Sequence, residues 1–355
     1  MNDATNGTRP AADRNSVITQ SVELVAEAAR SLDIAMEVLD PEYGFLYELA
    51  CGDRRRVCMG NRMPLNDAMS ARLAEDKYYS GVVLARRGLP TPTSVRCLSP
   101  HSRRNQRFAE RTGVEPGLSF ATRRGYPVVV KPNRLSMGRG VSVADSEDEL
   151  RAALRAVWQL DDLALVQNVV PGRDVRLDFL DDRFLVGYER LALDVTGDGR
   201  RTLRELLVEC DRRAADEATW TRWQDAPAWA AQVTERGLSG DSVVPAGERI
   251  SLGGPIHNLN QLSTGRLVER VPESLRALCI AAGQALGLRL FGVDLKVDTD
   301  GDGDDTLSGE AGAATIIEVN GSPLLLQIGR MGYRDRAVAA QTELLRAVFD
   351  LPPGR

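Results

Sequence analysis

The chain has 355 residues, 43% of them hydrophobic and 27% charged, with a net charge of −5. That balance excludes a disordered polypeptide and leaves no overall basic surface for nucleic acid. Five scattered cysteines without a CxxC pair, and only two histidines, exclude a disulfide framework and a zinc site and point to a reducing, cytoplasmic setting.

The length accommodates two or three compact units. No run reaches the roughly 18 apolar residues of a membrane-spanning helix. The polar residues 1–15 read as a disordered leader, and the short basic runs Arg54–Arg56 and Arg103–Arg104 as solvated surface. From Ser16 the pattern predicts a helix over 17–31, a strand over Ile34–Leu39 and a hairpin around Gly52-Asp53. A helix pair follows in "NDAMSARLAEDKYYSGVVLARRG", stopped by Gly88, Pro90 and Pro92. Residues 16–75 form a first small α/β block.

The second block, 76–161, centres on "PVVVKPNRLSMGRGVSV", a strand–loop–strand hairpin, followed by a helix with Ser146 and Glu149 as a capping box. The third block, 162–355, opens with the apolar strand "LALVQNVV" and the strands "DVRLDFL" and "RFLVGYERL". A turn, one helix over "TLRELLVECDRRAADEA" and a loop-rich segment, 220–265, come next. The helix "PESLRALCIAAGQALG", the strands "LFGVDLKVD" and "TIIEVNG", and a closing helix over Asp335–Phe349 complete the chain. There is no internal repeat.

Three places carry chemistry. Lys131 ends an apolar strand and faces a glycine-containing loop whose N–H groups, Ser136 to Gly140, suit phosphate; an ordinary hairpin with a surface lysine is the competing reading. It is no Walker A loop, since GxxxxGK[ST] is absent. Glu318 and Asn320, two apart on a strand, share one face, and Asp294 sits mid-strand nearby. An unpaired carboxylate there is costly, and three oxygen donors on one face suit Mg²⁺. Arg176 and Arg190 lie on consecutive strands, placed to hold a phosphoryl group or to form surface ion pairs. The stretch "DTDGDGDDTLSGE", 298–310, resembles an EF-hand loop, but its glutamate, Glu310, falls one residue late and strands flank it. It reads as a solvated insertion.

Taken in order, "LAEDKYYSGVVLARRGLPTP", "YPVVVKPNRLSMGRGVSV", "LALVQNVVPGRDVRLDFL", "ERLALDVTGDGRRTLRELL", "NQLSTGR" and "GVDLKVD…TIIEVNGSP" resemble the ATP-grasp superfamily. The likeness is to carboxylate–amine ligases of the cyanophycin synthetase, bacterial fused glutathione synthetase and ribosomal-protein glutamate ligase type, over about residues 70–330. It implies an α/β (α+β) ATP-grasp fold, with a small N-terminal domain and two subdomains clasping ATP. It makes Lys77 and Lys131 phosphate-binding lysines and Ser136 to Val141 a lid that includes Met137, Gly138 and Gly140. Gln167, Asn168 and Val169 become the adenine hinge and Asp174 the ribose ligand. Asp294, Glu318 and Asn320 become ligands of two Mg²⁺ ions, with Mn²⁺ as a substitute, and Arg190 a contact of the phosphoryl group or acyl phosphate; Arg190 and Arg176 are the catalytic candidates.

Departures from the family pattern concentrate at the substrate end. Gln167 stands where a glutamate is usual, and "SLGGPIHNLNQ" lacks an expected arginine. His257, Arg266, Arg330 and Tyr333 are the substrate candidates. The activity implied is amide formation between a carboxylate and an amine of amino acids or small peptides, through an acyl phosphate. D-alanine–D-alanine ligase-like or glutathione synthetase-like chemistry, and a nucleotide-binding regulator without turnover, are the alternatives. The partners implied are small molecules, neither nucleic acid nor membrane, and by likeness a second copy of the chain.

Overall fold

The computed structural model describes residues 17–103, 105–136, 138–253, 263–298, 307 and 314–352. Two compact units form: residues 1–67 with 322–355, and residues 68–321. The closing helix, read along the chain with the third block, therefore packs within the first unit.

In the first unit α1 (Val17–Arg30) precedes a three-stranded antiparallel sheet of β1 (Ala35–Val38), β2 (Leu46–Cys51) and β3 (Arg54–Met59). Leu24, Val25 and Ala28 recur at helical spacing and are buried, so α1 presents one apolar stripe. The 334–348 helix lies against it. Arg334 at its start donates to Glu27, and Arg330, on the short helix before it, donates to Gln20.

The second unit starts with the expected helix pair, α2 (Ala68–Ala74) and α3 (Lys77–Arg86). A four-stranded antiparallel sheet follows, in the order β4 (Ser94–Leu98), β7 (Leu163–Asn168), β5 (Val128–Pro132), β6 (Ser142–Ala144). Helices α4 (Glu115–Arg124) and α5 (Glu147–Val157) supply Phe120, Leu150 and Leu154 to a core with Val128, Val130 and Val166. The hairpin predicted from sequence is the β5–β6 pair. Ser146 caps α5, but the Glu149 carboxylate accepts from the Asp145 N–H, not from Ser146, so the expected box is only half formed.

The larger sheet is antiparallel in the order β12 (Ser263–Leu267), β9 (Arg183–Ala192), β8 (Arg173–Leu180), β13 (Leu290–Val297), β14 (Ala314–Asn320). Its residues alternate. Val175, Leu177, Phe179, Val293 and Leu295 enter a core with helix α9 (Glu273–Ala285), where Phe179 stacks on Phe291 with centroids 5.5 Å apart. Asp174, Arg176, Asp178 and Asp294 therefore fall on the opposite face.

Of the segment 220–265 expected to be loop-rich, residues 220–252 form part of a small packed subassembly that begins at residue 193. The ribbon of β10 (Asp194–Thr196) and β11 (Arg249–Ser251) packs with α6 (Leu203–Cys210), α7 (Glu217–Gln224), the one-turn α8 (Pro227–Trp229) and a π-helical turn, Ala230–Thr234. Trp220, Trp223 and Trp229 fill their shared core. The single helix read over residues 202–218 breaks at Asp211, because that side chain accepts from the Arg213 N–H and Asp216 caps a new helix. A full capping box does occur at Thr202 and Glu205. Helices α10 (Leu326–Arg330) and α11 (Arg334–Val348) then complete the first unit.

Candidate active site

The polar face of the five-stranded sheet is assembled by register. Asp294 lies opposite Arg176 on one side and Glu318 on the other, and Gly292 opposite Asp178 and Asn320. Beyond Asp294 the β13–β14 ladder shifts, skipping Ile317, a bulge next to the acidic residues. The three residues proposed as metal ligands are thereby brought together. Asn320 Nδ2 lies 2.9 Å from Asp294 Oδ2 and 3.1 Å from Glu318 Oε1.

Two arginines close on the same carboxylate. Arg176 Nη1 donates to Asp294 Oδ2 at 2.8 Å and Arg190 Nη2 to Asp294 Oδ1 at 2.6 Å. Arg176 also donates through Nε to Asp178 Oδ1 at 2.6 Å. Both arginines are thus oriented by Asp294; burial opposes their charge, but Asp294 and Tyr188, joined at Arg176 by Asp178, together outweigh it and keep them charged.

Lysines arrive from α3 and β5. Asp76 caps α3 by accepting from the Tyr79 N–H, and Asn133, just past β5, accepts from the N–H groups of Lys77 and Tyr78. This ties the helix start to the base of the 133–141 loop. Lys77 Nζ then donates to the Leu135 carbonyl at 2.6 Å and lies 3.4 Å from Glu318 Oε2. Burial opposes ionisation of Glu318, but Lys77 and Lys131 hold its carboxyl well below the usual range. Lys131 is buried, which pulls its amine down to about 8 despite Glu318. A buried cation whose charge is poorly compensated is a prepared anion site.

The loop itself turns twice, with the Ser136 and Gly138 carbonyls accepting from the N–H groups of Arg139 and Val141. Gly138 and Gly140 both have positive φ, and a Cβ at Gly140 would lie 2.9 Å from the Leu160 side chain. Gln167 lies within the sheet between Ser94 and Val129, whereas Val169, just past the strand end, is exposed. Asn168 Oδ1 is buried without a hydrogen-bond partner among the described residues. Asp174 pairs with Lys296 Nζ at 2.8 Å beside a cavity of about 310 Å³ lined also by Arg190, Leu191 and Val297.

Not every candidate joins this face. Arg266 donates to Glu189, which alternates away from Arg190 and is also gripped by Arg173. Arg330 is bound to Gln20 in the other unit, where Tyr333 is exposed at the start of α11. Met137, His257 and most of the acidic 298–310 loop lie outside the described residues. Asp178, Lys296 and Asn133 were missed by sequence reasoning. The alternation Asp174, Arg176, Asp178 in "RDVRLDFL" was the available signal for Asp178.

The donor set, two carboxylates and an amide oxygen, fits a hard divalent cation. Among the described residues no cluster of three His, Cys, Asp or Glu side chains could hold a metal. No helix among them is long and apolar enough to cross a membrane.

Comparison with known proteins agrees with this architecture. Residues 84–191 match the family model described as D-ala D-ala ligase C-terminus. The chain is 22% identical over 322 residues to the glutathione biosynthesis bifunctional protein GshAB of Desulfotalea psychrophila, covering 86% of this chain and 38% of that protein. To the protein of the same name from Streptococcus thermophilus it is 26% identical over 321 residues, covering 85% and 39%. The chain thus spans under two-fifths of the length of these relatives. The crystal structure of a bifunctional glutathione synthetase from Pasteurella multocida superposes with a TM-score of 0.58 at 19% identity, covering 93% of this chain and 44% of that one. The fold is that of the ATP-grasp ligases.

Proposed function

We propose that this ATP-grasp chain is an ATP-dependent carboxylate–amine ligase acting on amino acids or small peptides. The observation that carries the reading is Glu318, gathered with Asp294 and Asn320 on one sheet face and only 3.4 Å from Lys77. Four cations, Lys77, Lys131, Arg176 and Arg190, surround a carboxylate set suited to a divalent ion. That is the charge arrangement that phosphoryl transfer requires.

In this reading a substrate carboxylate attacks the γ-phosphoryl group of ATP, ADP leaves, and an amine displaces phosphate from the acyl phosphate to form the amide. Mg²⁺ bound by Glu318, Asp294 and Asn320, as one ion or two, or Mn²⁺ in its place, supplies neutralisation of the crowded phosphate charge. Lys131 and Lys77 bind phosphate oxygens, and Arg190 and Arg176 hold the transferring group. The N–H groups of the loop from Ser136 to Gly140 close over the phosphates and exclude water, which would otherwise hydrolyse the acyl phosphate. Residues Gln167 to Val169 present the adenine edge, with Asp174 at the ribose. His257, just before the "NQLSTGR" stretch, and Arg266, its last residue, are the substrate candidates of this segment.

The test is ADP release across a matrix of amino acids and dipeptides with Mg²⁺-ATP. At least one carboxylate–amine pair should stimulate release and yield the coupled amide by mass spectrometry. Glu318→Ala should lower that rate by about a thousandfold with an unchanged circular dichroism spectrum. Full activity in the variant would remove the metal assignment. A homodimer and a cytoplasmic setting belong to the same proposal, and light scattering during gel filtration tests the former.

A further inference from the structure

Resting on the reading above, we propose that Asp178 is a positioning residue for Arg176, holding its guanidinium in place when Asp294 turns to a divalent cation. Both oxygens of Asp294 are engaged by guanidinium groups, Oδ2 by Arg176 and Oδ1 by Arg190. A cation that takes Asp294 competes with both. Arg176 is buried, and a buried guanidinium deprived of its only carboxylate is an uncompensated charge. Asp178 removes that penalty, because it is itself only 2% exposed and already accepts from Arg176 Nε at 2.6 Å.

The neighbouring strand is shaped for this pair. Gly292 stands opposite Asp178 in the β8–β13 ladder, and a Cβ there would collide with Asp178 Oδ1 and with Nη2 and Nε of Arg176. The Arg176–Asp178 pair therefore lies flat over bare backbone, beside Tyr188 on β9. Asp178 acts through Arg176, which is shared between Asp178 and Asp294. Without it, Arg176 has one carboxylate left and holds Asp294 against the ion.

The experiment is titration of the manganese complex of a non-hydrolysable ATP analogue, followed by water-proton relaxation, beside calorimetric titration of the metal-free analogue. Asp178→Asn should weaken the manganese complex by about tenfold, while shifting the metal-free analogue less than about twofold. Arg176→Gln removes the competitor, so the double variant Asp178→Asn, Arg176→Gln should match Arg176→Gln alone. An unchanged manganese affinity in Asp178→Asn, an equal loss for both ligands, or a double variant weaker than Arg176→Gln would each overturn the proposal. The double variant leaves no unpaired guanidinium, so it keeps the test open if Asp178→Asn is poorly folded. If the wild-type chain fails to bind the manganese complex, the nucleotide and metal reading itself falls.

Discussion

The two larger sheets of the 68–321 unit handle buried cations in opposite ways. On the five-stranded sheet Arg176 and Arg190 are matched to Asp178 and Asp294 at hydrogen-bonding distance. On the four-stranded sheet Lys131 is 5% exposed, and burial outweighs the pull of Glu318 and Asp294 on its ammonium. On the matched face each guanidinium already has a carboxylate partner before any ligand arrives. The unmatched lysine is held at a disadvantage that an incoming anion relieves, which makes it the more sensitive reporter of ligand.

Lys131→Met should show the largest effect. Its amine is drawn from 10.5 to about 8, first by burial and then by Lys77, with Glu318 acting the other way. Between pH 8 and 10.5 the unfolded chain then binds more protons than the folded one, so stability rises with pH across that window. Below pH 8 the ligand-free variant should be more stable than wild type by on the order of 1–3 kcal/mol, and the gap should shrink as pH rises to 10.5. Urea unfolding at several pH values measures this, and ATP affinity should fall at the same time. A variant less stable than wild type at pH 7 would show that Lys131 is compensated after all.

Gly292→Ala tests the matched face. The new methyl group collides with Arg176 and Asp178, so thermal unfolding should report a loss of about 1–3 kcal/mol. Wild-type stability would mean that the pair has room to move aside. The smallest effect belongs to Gly140→Ala. With φ at +72°, this change should cost about 1 kcal/mol, and it should slow ADP release more than it lowers ATP affinity. Equal losses in both would argue that the loop binds without closing.

Much of this was legible along the chain. Period-two alternation in "DVRLDFL" and "LFGVDLKVD" separated a core face from a polar face, and Glu318 and Asn320 followed from the same count. The β5–β6 hairpin and the α2–α3 pair were likewise written in local turn and stop residues. The tryptophan-filled segment was not, because its short helices lack a long amphipathic repeat and take their stability from Trp220, Trp223 and Trp229 meeting in one core. That Arg266 pairs with Glu189 was not legible either, because it follows from the register of β12 against β9.

By itself the sequence determined residue type and local period: which strands are apolar, which positions carry oxygen donors, and where the chain turns. Only the tertiary structure decided which charges meet. Asp294 is shared by two arginines, Lys77 reaches Glu318 from 241 positions away, and the 334–348 helix returns to α1. Spacing along a strand sets the face on which a side chain lies, but the partner across the ladder comes from a distant segment, whose register depends on the packing of the whole sheet.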